Sequence, residues 1–293
     1  MAKEIAEGRN LLGISNTYMR QQPWFEHARG PIEGILASVR KLTVIPYALA
    51  DRDWYTQKLG AEFARFGVES VVSPHQFPGS EEQVLADAEA VYIGGGDTPL
   101  LVANLHGLRH EDDQTLVDSG AASSQNPLVD VLRNRVAEGM PLLGASAGWN
   151  VMFGDIRTTN DMHTAPWRLA NGASVSRMDA LGLFPRHLNG NPHYLEKVTL
   201  TDEDRAAAVA VNGDLAQLID HQGESRKERI ARALSQDPSR VIIALREGAY
   251  LSVQGSTMVL GGETGGLIFE KGLDAKEVSI GEDLSYLLKN RNS

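Results

Sequence analysis

Short apolar runs alternate along the chain with stretches whose apolar residues recur every three or four positions. Strands buried on both faces read as continuous apolar segments, so this alternation predicts an α/β fold, a mostly parallel sheet flanked by helices. Residues 11–15, 42–46, 68–72 and 90–93 are the first predicted strands. A helix is predicted over 31–39, opened by Pro31, whose fixed φ suits a first helical turn. Another runs from a cap at Asp51 to Phe66, with Trp54, Leu59, Phe63 and Phe66 at helical spacing. Ser80 and Gln83 resemble a capping box for a short helix reaching Ala88.

Helices near 99–105 and over 127–138 flank a polar stretch, 109–126, that reads as an exposed loop. Strand 141–144 follows. The second half is less regular: a helix over 226–234, a buried-type strand over 240–245, and a C-terminal β-hairpin of 249–253 and 257–260. Residues 266–269 are expected to add an edge strand. No internal repeat or proline-rich linker interrupts the sequence, so a single domain over 1–293 is expected.

Composition narrows the function classes. Hydrophobic residues make up 42%, enough for a sizeable core. A formal net charge of −10 repels phosphate backbones and anionic lipid, so neither nucleic acid nor membrane is an expected partner. An acidic substrate would need a dedicated cation. The absence of cysteine removes disulfides, thiolate metal sites and every cysteine-nucleophile mechanism. The start, Met1-Ala2-Lys3-Glu4-Ile5-Ala6-Glu7, lacks the apolar core of a signal peptide, and no apolar run approaches membrane-spanning length. A soluble, cytoplasmic protein is expected.

Gly144-Ala145-Ser146-Ala147-Gly148 fits the Gly-x-Ser-x-Gly elbow, with a predicted strand before it and a helix after it. A nucleophile on so tight a turn needs small neighbours, because helix and strand backbones approach closely there. Small residues are common at any strand–helix turn, so the motif gains weight only from companions. Gly94-Gly95-Gly96 after another strand is one: exposed N–H groups of a glycine loop bind phosphate or stabilise an oxyanion, and no Gly-Lys-Ser/Thr follows to make a Walker loop. Gly96 N–H and Ala147 N–H would supply a two-donor hole. Of the 8 histidines, His193 stands out in the Asn189-Gly190-Asn191-Pro192-His193-Tyr194 segment, which reads as a fixed loop. His106 and His110 have a spacing that could hold a metal, but beside Glu111, Asp112 and Asp113 they read better as a solvated face.

With these residues assembled, the chain resembles peptidase E, the α-aspartyl dipeptidase family that includes the cyanophycin-degrading hydrolases. The matching segments are Tyr92-Ile93-Gly94-Gly95-Gly96-Asp97-Thr98, Gly144-Ala145-Ser146-Ala147-Gly148-Trp149-Asn150 and Ile156-Arg157-Thr158-Thr159-Asn160-Asp161-Met162. Asn191-Pro192-His193, Gly223-Glu224-Ser225-Arg226-Lys227-Glu228-Arg229-Ile230 and Arg246-Glu247-Gly248 follow in family order. The resemblance implies a fold related to class I glutamine amidotransferase domains, with serine in place of the usual cysteine.

It further implies Ser146 as nucleophile and His193 as general base. Two acids have family counterparts, Asp161 and Glu247. Glu247 is favoured for the direct contact because it ends a strand, where crevices open in α/β sheets, leaving Asp161 on the substrate side. Arg226 is carried over as the residue that reads the aspartyl carboxylate, since a guanidinium matches a planar acid. The implied reaction is hydrolysis of dipeptides with N-terminal aspartate, with a small acidic peptide as substrate and no metal or organic cofactor. A cyanophycinase-like β-aspartyl hydrolase and a non-catalytic binding protein of the same fold are the alternatives. Segments 109–126, 163–177 and 195–220 look like insertions relative to compact family members, and Asp97 stands where asparagine is commoner, placing an extra acid near the glycine loop.

Overall fold

Strands form where apolar runs can be buried on both faces. In the computed structural model, which describes residues 2–19, 22–107, 109–111, 115–117, 127–159, 179–194 and 226–289, β1 (Asn10–Ile14), β2 (Lys41–Ile45), β3 (Ser70–Val72), β4 (Ala90–Ile93) and β7 (Leu142–Ala145) pair in parallel. All residues of β4 and β7 are buried. The hairpin β10 (Ala249–Gln254) and β11 (Thr257–Gly262) joins antiparallel to β1, completing a seven-stranded sheet in the order β11-β10-β1-β7-β4-β2-β3.

A second sheet has no counterpart in the sequence expectations. β8 (Leu188–Tyr194), β9 (Val241–Arg246), β12 (Gly266–Glu270) and β13 (Lys276–Val278) form four strands in the order β13-β12-β9-β8. β8 and β9 run parallel, and β12 lies inside this sheet, where an edge strand was expected. The polar stretch expected as a loop contains a small antiparallel pair, β5 (Arg109–Glu111) and β6 (Thr115–Val117). Residues 118–126 and the expected insertions 163–177 and 195–220 lie outside the described residues.

The helices are α1 (Ala2–Gly8), α2 (Arg29–Ile35), α3 (Arg52–Phe63), α4 (Glu81–Ala86), α5 (Thr98–Leu105), α6 (Pro127–Ala137), α7 (Ala147–Asn150) and α8 (Arg226–Gln236). Asp51 caps α3 as expected, its Oδ1 accepting the Trp54 N–H at 2.9 Å. Trp54 itself is 54% exposed, because the buried face of α3 is Tyr55, Thr56, Leu59 and Phe63. Ser80 makes no side-chain cap to α4. The reciprocal bond lies upstream, where Ser73 N–H donates to Gln76 Oε1 at 2.9 Å.

One apolar cluster packs Phe25, Leu59 and Phe63 on Leu12, Ile14 and Tyr92 of the large sheet. Another joins Leu142, Trp149 and Phe153 to Leu188, Ile243 and Leu245 of the second sheet. A third seats Ile230 of α8 on Ile242 and Phe269. Among the described residues no helix is long and apolar enough to cross a membrane.

The tightest joint is α7 on the strands beneath it. A Cβ on Gly148 would lie 2.0 Å from the Ile93 carbonyl oxygen, so backbone meets backbone with no room for a side chain. Gly34, on the exposed side of α2, would place a Cβ with nothing within 4 Å. Gly148→Ala is therefore expected to destabilise the protein by about 1–3 kcal/mol through overpacking. Gly34→Ala should stabilise by about 0.5–1 kcal/mol through helix propensity. Urea unfolding of both variants checks the contrast; equal effects would remove the packing argument.

Candidate active site

Ser146 follows β7 directly and opens α7 with φ 54 and ψ −116, a conformation costly for any residue with a Cβ. The strain is held on both sides. Ser146 N–H donates to the Ile14 carbonyl at 3.0 Å, and the Ser146 carbonyl accepts from Trp149 N–H at 2.9 Å and Asn150 N–H at 3.0 Å. The result is the tight strand-to-helix turn that the motif requires.

His193 is the penultimate residue of β8, a correction to the expected fixed loop. The physical reason is a bulge. Pro192 has no N–H to give a ladder, and the register between β8 and β9 shifts between Asn191 and Tyr194. His193 takes φ 53 there and its ring turns toward the large sheet. Its Nε2 lies 2.9 Å from Ser146 Oγ, and its Nδ1 lies 2.9 Å from Glu247 Oε1. Glu247 occupies the two-residue connection between β9 and β10, where the chain leaves the second sheet for the first. Thr264 Oγ1 donates to its carbonyl at 2.6 Å.

β4 pairs with β7 so that Ile93 faces Gly144, which brings the glycine loop beside Ser146. A Cβ on Gly95 would stand 3.0 Å from Ser146 Cβ, so glycine leaves the space the serine side chain uses. Gly95 N–H donates to Tyr55 OH at 3.3 Å. Gly96 N–H and Ala147 N–H make no hydrogen bond to another group among the described residues, which leaves both for a ligand. Asp97 is engaged elsewhere: its Oδ1 accepts the Leu100 N–H at 2.8 Å and caps α5. Tyr55 carried no sequence signal, because its role rests on a contact between α3 and a loop forty residues away. Burial pushes its phenol above the ordinary value and keeps it neutral.

Arg226 is the first residue of α8 and is buried, together with Arg229 and Ile230. α8 packs on β8, the strand that carries His193. Asp161 lies outside the described residues, but the segment leading to it is anchored. Thr158 Oγ1 donates to the Gly190 carbonyl at 2.5 Å, Asn191 Nδ2 donates to the Thr158 carbonyl at 2.7 Å, and the Thr98 and Thr159 hydroxyls bond at 3.0 Å. Beneath them Asp155 pairs with Arg240 at 2.7 Å and Arg157 at 2.9 Å, and accepts from Asn189. His106 donates through Nε2 to the Asp179 carbonyl at 2.8 Å, and no cluster of three or more His, Asp or Glu suited to a metal occurs among the described residues.

A serine on a strained turn, an imidazole, a carboxylate and two N–H groups without a hydrogen-bond partner among the described residues, on an α/β sheet, define a hydrolase of the serine type. The model of Peptidase family S51 matches residues 11–119 and 121–261, and the chain belongs to that family of serine peptidases. A peptidase E of Streptomyces coelicolor is 33% identical over 282 residues, covering 96% of each chain. A probable alpha-aspartyl dipeptidase of Drosophila melanogaster is 31% identical over 288 residues, covering 97% of this chain and 100% of that one. Among solved structures, a peptidase from an acI-B1 Actinobacterium matches with a TM-score of 0.58 at 17% identity, covering 94% of this chain and 96% of that one. A putative peptidase E from Listeria monocytogenes matches at 0.51 and 13% identity, covering 87% and 99%. At those identities the two structures share the fold.

His27 adds a buried titratable group near this site. Burial pushes its imidazole below the ordinary value, opposed in part by Glu263, the Asn16 backbone and Glu247. The folded chain thus resists a proton that the unfolded chain accepts near pH ~6.5. This contribution to stability is in place above that pH and is lost progressively as pH falls below it. Unfolding free energies at pH ~7.5 and ~5.5, on either side of the ordinary histidine value, should differ less for His27→Gln than for the wild type. An identical pH difference in the two proteins would contradict the assignment.

Proposed function

We propose that the protein hydrolyses dipeptides with an N-terminal aspartate, with Ser146, His193 and Glu247 as nucleophile, general base and orienting acid. The observation that carries this reading is the continuous relay of 2.9 Å contacts from Ser146 Oγ through the His193 ring to Glu247 Oε1. A nucleophile and base within hydrogen-bond reach, with the base held by a third group, is the arrangement that activates a hydroxyl.

His193 Nε2 accepts the Ser146 proton as Oγ attacks the peptide carbonyl, and Glu247 stabilises the imidazolium that forms. Gly96 and Ala147 N–H groups face the oxyanion of the tetrahedral intermediate. The intermediate collapses with cleavage of the C–N bond, and His193 protonates the departing amine. Water then attacks the acyl-enzyme, giving its proton to His193, and His193 returns a proton to Ser146 Oγ as the acyl C–O bond breaks and the acid is released. Every step is served by groups of this chain, without a metal or organic cofactor.

For specificity, Arg226 holds the aspartyl side-chain carboxylate and Asp161 receives the free amine. The net charge of −10 supports a dedicated cation, since the general field opposes an acidic substrate. The Drosophila relative named a probable alpha-aspartyl dipeptidase supports the substrate class. The 2.9 Å contact supports Glu247 over Asp161 as the acid that holds His193.

A kinetic screen of Asp-Leu, Glu-Leu and β-Asp-Arg is expected to show fastest turnover of Asp-Leu. Ser146→Ala should lose about 10⁴-fold or more in kcat, and Glu247→Gln about 10²–10⁴-fold. Asp161→Asn should act mainly on KM. Arg226→Ala should lose the preference for aspartate while still turning over an activated ester. Preference for β-Asp-Arg would move the assignment to a β-aspartyl hydrolase. Failure of a serine-directed phosphonate to label Ser146 would replace it with a non-catalytic binding role.

A further inference from the structure

The end of β1 carries two polar residues in surroundings that do not tolerate them alone. Leu11, Leu12 and Ile14 are buried hydrophobics, yet Ser15 is 0% and Asn16 3% exposed. A hydroxyl or amide in such a place is costly unless its hydrogen bonds are made. Ser15 Oγ donates to the Leu245 carbonyl at 3.0 Å and accepts the His193 N–H at 2.8 Å. Asn16 Oδ1 accepts the Gly248 N–H at 2.7 Å, while its Nδ2 donates to the Tyr18 carbonyl and to Met19 Sδ at 3.3 Å.

The partners are the informative part. Ile14 accepts the Ser146 N–H, Ser15 accepts the His193 N–H, and Asn16 accepts the N–H that follows Glu247. Three consecutive residues, at and just beyond the end of one strand, thus accept the backbone N–H groups of Ser146, of His193 and of Gly248, the residue bonded to Glu247. The bulge that turns the His193 ring toward Ser146 also takes its backbone out of the regular ladder with β9. The Ser15 hydroxyl supplies that N–H with an acceptor, at a residue with φ 53. His193 sits on β8 of the second sheet and Ser146 follows β7 of the first, so Ser15 ties the imidazole to the frame that carries the hydroxyl.

We infer that Ser15 and Asn16 are positioning residues of this peptidase, Ser15 setting the backbone of the base and Asn16 that of the acid. Neither contacts the reacting atoms; both act through His193 and Glu247. The inference rests on the proposed roles of Ser146, His193 and Glu247. It predicts that loss of either side chain lowers turnover without lowering affinity, since a displacement of about 1 Å at a reacting group can cost about 10²-fold.

The test compares wild type, Ser15→Ala, Ser15→Thr and Asn16→Leu at equal folded fraction, measured by near-ultraviolet circular dichroism. Asp-Leu kinetics and the rate of Ser146 labelling by a fluorophosphonate are followed across pH. Ser15→Ala should lose about 10- to 100-fold in kcat, with KM within about twofold, and Ser15→Thr should regain most of the loss. Asn16→Leu should move the acid limb of kcat/KM to lower pH, because a loosened Glu247 stabilises the imidazolium less. A bracing role alone would lower the melting temperature and leave kcat, labelling and the acid limb where they are; that result overturns the inference while wild-type activity stands. Should Ser15→Ala fail to fold, Asn16→Leu decides by the same criteria. A wild type that neither turns over substrate nor takes the label overturns the reading of the site, and the inference with it.

Discussion

Holding Ser146 at φ 54 and ψ −116 is the constraint on which the rest of the site depends. An L-residue leaves that region at a gain of about 1–3 kcal/mol unless its surroundings over-determine it. Here the turn is fixed from below by the Ile14 carbonyl and from above by N–H groups of α7. It is fixed laterally by two glycines, since Gly148 lets α7 rest on the Ile93 backbone and Gly95 leaves space beside the serine Cβ. Pairing of β7 between β1 and β4 makes all of these contacts adjacent, so strand order and strained turn are one arrangement. The strain presents the hydroxyl above the sheet by backbone geometry alone.

The second sheet answers the problem that remains, which is to bring an imidazole and a carboxylate to a serine they do not neighbour in sequence. β8 supplies His193 at a proline-induced bulge, and the chain crosses from β9 into β10 through Glu247 and Gly248. A crossing between two sheets is a natural place for a carboxylate that meets His193 at 2.9 Å. Its backbone belongs to neither ladder, and its position is set by both. The shared core of Leu142, Trp149, Leu188 and Ile243 makes the relation between the sheets a packing relation, resistant to small shifts.

Much of this is legible in the amino-acid sequence wherever local sterics restrict residue type. The first four strands, the hairpin and the two glycine-bearing turns announce themselves through apolar runs ending in small residues. β8 does not, because Asn189, Gly190, Asn191 and Pro192 have poor strand propensity. Their strand is made by long-range bonds, Asn189 to Asp155 and Asn191 to Thr158, which no local pattern reveals. Tyr55, Ser15 and Asn16 stay hidden for the same reason: each looks ordinary beside its sequence neighbours and becomes specific only through a distant partner. Trp54 fails in the opposite sense. It has the spacing of a core residue, but the sheet meets the other side of α3.

Charge gives the last link between fold and the proposed chemistry. A protein of net charge −10 that admits an acidic substrate must concentrate positive charge where water is scarce, since an exposed cation is screened. Arg226 meets the first requirement of such a residue by being buried at the start of α8, on the helix that backs the His193 strand. A guanidinium can remain charged in such a place where an ammonium readily loses its proton, which favours arginine over lysine there. A carboxylate that enters against the overall field must then be compensated by a short-range, oriented contact. Selectivity under the proposed reading follows from the same physics: a neutral side chain brings no negative charge for the guanidinium to answer, so only an acid gains from the burial of the cation.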